Sequence, residues 1–230
     1  MKARRAVVLV SGGLDSAVAA TIAKCERFEL YALTFQYGQR NERELESAKK
    51  VADALRVKEH KILTVPLDAF GQSALTDKKI PVPKQRSKQE IGTGVPVTYV
   101  PGRNTVFVAM GLAYAESVGA EAVFIGAHAL DYSGYPDCRP EYFEKWNELA
   151  KLATKQAIEG APAKIVAPLV QWTKSKIVET GHDLKAPMKH TWSCYESGPA
   201  PCGKCDACQI RAEAFARAGI PDPALATLKP

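Results

Sequence analysis

No apolar run in this chain approaches the roughly 20 residues that a membrane-spanning helix needs, which excludes a helical membrane protein. No internal repeat is visible, which sets solenoid and array architectures aside. No block of like charges occurs either. The formal net charge of +6 is spread along the chain, and with a pI near 8.9 it suits an anionic small molecule as well as nucleic acid. The segment Met1-Lys2-Ala3-Arg4-Arg5 followed by Val7-Val8-Leu9-Val10 begins like a signal peptide, but the apolar run is too short and enters Ser11-Gly12-Gly13. It reads as a first strand, and the expected location is the cytoplasm.

What is present is the balance of a globular protein, 46% hydrophobic and 24% charged, enough to bury a proper core. At 230 residues the chain suits one large domain, or one domain with a small appendage, the division being expected at 1–165 and 166–230. Strand patterns fall at Ala6–Val10, Leu30–Gln36, Glu59–Val65 and Ala122–Gly126. Helical patterns fall at Ala17–Glu26, Asn41–Leu55, Asn104–Val118, Pro140–Glu159 and Asp206–Ala218. This alternation predicts an α/β fold with a parallel sheet covered on both faces, whose ligands bind beyond the carboxyl ends of the strands. From Gly71 to Val97 the pattern fails. Lys78, Lys79, Lys84, Arg86, Lys88 and prolines 81, 83 and 96 predict a long mobile loop, closing over a substrate or a subunit contact, or a solvated surface excursion.

The first strand runs into Ser11-Gly12-Gly13-Leu14-Asp15-Ser16 and then a helix. Two glycines let successive N–H groups face an anion, and the helix N-terminus adds free donors and its positive dipole end. Ser11 and Ser16 add hydroxyls. Asp15 suits a helix cap or a magnesium ligand on bound phosphates. The string lacks the Lys-Ser/Thr ending of the kinase-type loop and the Gly-x-Gly-x-x-Gly dinucleotide fingerprint. It resembles the pyrophosphate loop of the ATP pyrophosphatase superfamily, which implies adenylation of a substrate oxygen with ATP. The loop residues expected to hold ATP are Val10, Ser11, Gly12, Gly13, Leu14, Asp15, Ser16 and Ala17.

Six cysteines divide unevenly: Cys25 and Cys138 stand alone, while Cys194, Cys202, Cys205 and Cys208 fall within 15 positions. In a reducing compartment such clustering favours a metal over disulfides, and four thiolates can close a tetrahedron around a structural zinc. An iron–sulfur cluster or a redox dithiol are the other chemistries this spacing allows.

Phe35-Gln36-Tyr37-Gly38-Gln39-Arg40, Thr98-Tyr99-Val100-Pro101-Gly102-Arg103-Asn104 and Gly126-Ala127-His128 through Arg139 are too polar for plain core. All would gather at the edge that carries the phosphate loop. Tyr-Val-Pro-Gly-Arg-Asn, Asp131-Tyr132-Ser133-Gly134-Tyr135-Pro136-Asp137-Cys138-Arg139 and Thr191-Trp192-Ser193-Cys194-Tyr195, with the cysteine string, are similar to the 7-cyano-7-deazaguanine synthase family. The similarity runs in order from about residue 6 to Pro223.

The resemblance implies an adenine nucleotide alpha hydrolase-like (Rossmann-like) domain with a small C-terminal zinc-binding subdomain. It implies an ATP-dependent ligase that turns 7-carboxy-7-deazaguanine and ammonia into the nitrile through an acyl-adenylate and an amide. It also suggests a homodimer; the residues themselves add one structural Zn2+ per chain, Mg2+ with ATP, and no stable nucleic acid. Candidate catalytic residues are Asp15, Ser16, Arg103 and Lys174. Tyr37, Arg103, Asn104, His128, Asp131, Tyr132 and Asp137 are the candidate substrate contacts. Cys138 reads as packing. Lys176 stands where the family pattern leads one to expect an acidic residue, and Ala17 where it often has a hydroxyl. Another ligase or a tRNA-thiolating enzyme using the same loop competes with this reading. A thiolating enzyme would need a cysteine pair outside the metal set. A zinc-ribbon nucleic-acid binder would need a basic surface, yet residues 194–208 hold only Lys204 among Lys and Arg.

Overall fold

The computed structural model describes residues 3–91, 93–129 and 134–226, so Asp131 and Tyr132 lie outside the described residues. Strands β1 (Arg5–Leu9), β2 (Glu29–Gln36), β3 (Glu59–Thr64), β4 (Ala122–Ile125) and β5 (Lys164–Val166) form one parallel sheet in the order β3-β2-β1-β4-β5. The helices are α1 (Leu14–Cys25), α2 (Arg43–Leu55), α3 (Lys88–Ile91), α4 (Arg103–Val118), α5 (Pro140–Ala150), α6 (Lys155–Ile158), α7 (Lys174–Asp183), α8 (Asp206–Ala218) and α9 (Pro223–Ala226).

Alternate residues of β1 feed two cores. Val7 and Leu9 pack with Val108 and Leu112 of α4, while Ala6 and Val8 pack with Ala17 and Ala20 of α1 and Val51 of α2. A strand apolar on both faces is stable only between two helical layers, which is why β1 is central. From β1 the chain steps outward to β2 and β3, then returns to β4 on the other side of β1. The order therefore reverses beside β1, and the crevice at its carboxyl end is where such sheets bind ligands. A third core joins Leu14 and Val18 of α1 to Ile177 and Val178 of α7 and Phe215 of α8.

The four expected strands are present to within one residue at each end. Four expectations need correction. Helix α1 starts at Leu14 rather than Ala17, because Gly13 is its N-cap and the phosphate loop turns directly into it. Pro140–Glu159 is not one helix. It breaks after Ala150, and the Thr154 side chain accepts the Ala157 N–H at 3.1 Å to start α6, a local bond that competes with continuation of α5. Strand β5 and helix α7 were not anticipated. The first is only three residues long, and the second is announced only by its cap, Thr173, which accepts the Lys176 N–H at 3.2 Å.

The fourth correction concerns the segment 71–97, whose described residues, 71–91 and 93–97, form a strap on the C-terminal segment rather than a solvated excursion. Lys84 bridges Cys205, the Gln85 N–H donates to the Lys204 carbonyl at 2.8 Å, and Lys84 pairs with Glu196 at 2.8 Å. Arg86 forms a two-pronged pair with Asp206. Lysines read as solvated in the sequence are thus partly matched to acids more than 100 positions away.

Candidate active site

The phosphate loop is held open by its own bonds. Ser16 Oγ donates to the Gly13 carbonyl at 3.0 Å and accepts the Ser11 N–H at 3.2 Å, and the Gly13 N–H donates to Ser11 Oγ at 3.3 Å. Gly12 has φ +84°, and a Cβ there would strike the Glu44 carbonyl oxygen and lie 2.7 Å from the Ala48 nitrogen of α2. Only glycine meets both the left-handed backbone and that close approach. Gly126, just after β4, plays a similar part: a Cβ would sit 2.5 Å from the Ser16 nitrogen.

Asp15 lies in the first turn of α1 and does not cap it. Its carboxylate instead accepts Lys174 Nζ at 2.5 and 2.6 Å and lies 3.0 Å from His128 Nδ1. Burial alone would raise the Asp15 pKa, but the Lys174 ammonium and the His128 ring hold it far below the usual carboxylate range. The site thus joins the first helix, the segment after β4 and the N-terminus of α7. Charge held there, in a partly dry cleft, is suited to stabilising an anionic phosphate chain.

These groups line a cavity of about 300 Å3. Its lining includes Ser11, Gly13, Asp15, Ser16, His128 and Lys174, together with Arg103, Glu44 and an aromatic group of Phe35, Tyr37, Phe107, Tyr135 and Tyr195. Phe35 and Phe107 stack with centroids 4.0 Å apart, and the Arg103 guanidinium lies over Tyr37 at 5.8 Å and Tyr135 at 6.0 Å. Burial pushes the Tyr37 phenol above its ordinary pKa, so it stays a neutral hydrogen-bonding group.

Of the expected residues, Val10, Leu14 and Asn104 also line this cavity, while Gly12, Ala17 and Asp137 stand behind its surface. Asp137, 5% exposed, accepts the Asn104 N–H at 3.0 Å and so anchors the first turn of α4. Its pKa is raised by burial, against the bonds from Asn104 and the charge of Arg103. Cys138 takes a bond from Asn104 Nδ2 at 3.3 Å, and burial pushes its thiol up to about 12, which fits packing rather than nucleophilic use. Glu44, Arg86, Phe107, Tyr195 and Asp206 also line the cavity, and sequence reasoning did not single them out as site residues. An acid in a helix's first turn is a common dipole partner, so Glu44 carried no signal by itself.

The four clustered cysteines meet beside the cavity. Their sulfurs all lie within 4.8 Å of one another, with Cys194–Cys205 and Cys202–Cys208 at 4.0 Å. Tetrahedral zinc bonds of about 2.3 Å place sulfurs about 3.8 Å apart, so the set can close on a metal ion with little movement. The N–H groups of Glu196 and Cys202 donate to Cys194 Sγ at 3.4 and 3.3 Å, and that of Cys205 to Cys202 Sγ at 3.3 Å. Bonds from the Cys205 and Cys208 thiols, and then from these amides, lower the Cys194 pKa. Such donors stabilise thiolates, the form that binds metal. The Trp192 N–H donates to the Gly12 carbonyl at 2.9 Å, and Asn41 Nδ2 to the Cys194 carbonyl at 2.7 Å, so the cysteine segment is tied directly to the phosphate loop.

A family model described as "Queuosine biosynthesis protein QueC" matches residues 5–219. The 7-cyano-7-deazaguanine synthase of Trichodesmium erythraeum (strain IMS101) is 49% identical over 219 residues, covering 95% of this chain and 99% of its own. Those of Thermosynechococcus vestitus and Anaeromyxobacter dehalogenans are both 50% identical, over 96% of this chain and 94% and 95% of theirs. The likeness therefore takes in both the phosphate loop and the cysteine segment, not the shared loop alone.

Proposed function

The chain belongs to the family of queuosine biosynthesis protein QueC, and from that premise we propose that it is an ATP-dependent carbon–nitrogen ligase. Its reaction is the conversion of 7-carboxy-7-deazaguanine and ammonia to 7-cyano-7-deazaguanine, the product that the names of its relatives carry. The observation in this chain that supports the reading best is one cavity lined both by the phosphate loop and by an aromatic, arginine-bearing group. That arrangement suits a planar carboxylic acid presented to a nucleotide triphosphate.

In the first half-reaction a carboxylate oxygen attacks the α-phosphorus of ATP, forming the acyl-adenylate and expelling pyrophosphate. Ammonia then attacks the acyl carbon, AMP departs and the amide forms. Activation of the amide oxygen by ATP, followed by departure of that oxygen with its adenylyl group and loss of protons from nitrogen, leaves the nitrile. Ser11, Ser16 and the loop N–H groups hold the phosphates, and Lys174 neutralises the leaving pyrophosphate. Asp15 orients Lys174 and is the natural ligand for Mg2+ carried with ATP. Arg103 offers a planar fork to the substrate carboxylate or the α-phosphate. Cys194, Cys202, Cys205 and Cys208 hold one Zn2+, which supplies a cross-link to the C-terminal subdomain of residues 166–230 and no open position for chemistry. The same reading carries a homodimer working in the cytoplasm on small molecules, without stable nucleic acid.

Mass spectrometry of a reaction with Mg-ATP, ammonium and 7-carboxy-7-deazaguanine tests it. Amide and then nitrile should appear as AMP accumulates, and both should vanish in Asp15→Ala. ATP binding without turnover of that acid would overturn the substrate.

A further inference from the structure

Helix α2 carries three glutamates at or next to its start, and they are placed differently. Glu42 and Glu46 are exposed, as acids that complement a helix dipole usually are. Glu44 is half-buried and lines the cavity together with Tyr37 and Arg103. Among the described residues no hydrogen bond or ion pair reaches its carboxyl. The groups that act on it through space are Arg103 of α4, Tyr37 beyond β2 and Cys194 of the C-terminal segment. Burial pushes its carboxyl up to about 7, against the pull of Arg103. Its carboxyl oxygens therefore stay open to the cavity with no protein donor on them, which leaves both free to accept from a bound molecule.

We propose that Glu44 is the specificity residue for the guanine-like ring, its two oxygens accepting the adjacent ring N–H and exocyclic amino group. This deepens the proposed function and rests on it. A 7-deazaguanine ring presents those two donors side by side, spaced for a carboxylate fork, whereas an adenine ring offers only one donor beside an acceptor. Glu44 therefore sorts the two purine-like rings the reaction brings together, drawing the acid to the aromatic group and leaving the adenine elsewhere. Arg103 acts on Glu44 with the opposite charge and lines the same cavity. The main chain of Glu44 lies against Gly12, so its side chain springs from beside the phosphate loop. Asp137, the other described acid near Arg103, already accepts the Asn104 N–H.

Glu44→Gln is the test, since it keeps shape and replaces one acceptor with a donor. The kcat/KM for 7-carboxy-7-deazaguanine should fall about 100-fold, with the KM for ATP and bound zinc preserved and no loss of thermal stability. The analogue lacking the 2-amino group should lose a similar factor in the unaltered enzyme and little more in Glu44→Gln. Calorimetric binding of 7-deazaguanine against 7-deazaadenine gives a readout independent of turnover. If the unaltered enzyme fails to turn over the acid yet prefers 7-deazaguanine through Glu44, the proposed reaction fails and Glu44 stands. Equal losses for both acids in Glu44→Gln, a raised KM for Mg-ATP instead, or an unchanged ring preference would each overturn the assignment of Glu44.

Discussion

On one side of the cavity the phosphate loop stands on β1 and β4, strands buried along nearly their whole length between helices of both layers. On the other side residues 192–208 and the strap 71–97 enclose a much smaller apolar cluster, Ala74, Val82 and Trp192 with three of the cysteines. The first wall is paid for by burial of aliphatic surface at roughly 25 cal/mol per Å2. The second has too little of it, and is held by Arg86–Asp206, Lys84–Glu196 and whatever the four sulfurs bind. The difference teaches that one cavity can have a wall that folds with the core and a wall whose own apolar cluster is too small to hold it.

The largest effect should come from removing the proposed zinc cross-link. Cys205→Ser should abolish the one bound metal expected per chain and release the strap, because structural zinc sites are worth on the order of 10 kcal/mol to the fold around them. Trypsin should then cut at Lys84, Arg86 and Lys88, while the sheet keeps its circular-dichroism signal. A strap that stays protected after metal loss would break the comparison. Next in size is Gly12→Ala, which strikes the wall built on the sheet. The φ of +84° and the close approach to α2 should cost about 3 kcal/mol, read as a lower denaturation midpoint with ATP binding lost.

Legibility in the sequence follows the same divide. The phosphate loop could be read because its chemistry is local: two glycines, two serines and an aspartate between a strand and a helix. The cysteines were equally legible through their spacing. What could not be read lay in contacts between distant segments. Nothing near Arg86 announces that it pairs with Asp206, 120 positions on, and nothing near Asp15 announces that Lys174 and His128 meet its carboxylate. The strap looked like open loop because its partners sit beyond the reach of any periodicity. Glu44 was hidden for a subtler reason, since only tertiary packing distinguishes it from Glu42 and Glu46.

Lys174 tests whether the wall built on the sheet is complete without α7. Its ammonium reaches Asp15 from outside the sheet, and Lys174→Met should leave the fold intact while lowering kcat about 100-fold, or roughly 2.7 kcal/mol of transition-state stabilisation. The ATP KM should change much less if Lys174 acts on departing pyrophosphate rather than on the bound nucleotide. A loss carried wholly by KM would make it a binding group and place catalysis on the loop alone.

The smallest expected effect distinguishes a residue kept for function from one kept for packing. Glu44 faces Arg103, Tyr37 and Cys194 at the junction of the two walls, and its folded pKa of about 7 exceeds its ordinary value of 4.5. A raised pKa means the folded state binds the proton more tightly than the unfolded chain does. Stability is therefore lost as pH rises from about 4.5 through about 7, and the full cost is present above that. Glu44→Gln removes the titration. In the metal-loaded protein it should raise Tm over the unaltered protein by about 3 °C at pH 8, roughly 1 kcal/mol after allowance for its partial exposure, and by much less at pH 5. A variant that gains stability at high pH while losing activity identifies a carboxylate the fold would be better without. Equal Tm shifts at both pH values would mean that the carboxyl is compensated in the free protein, and would remove stability as a reason to assign it to the substrate.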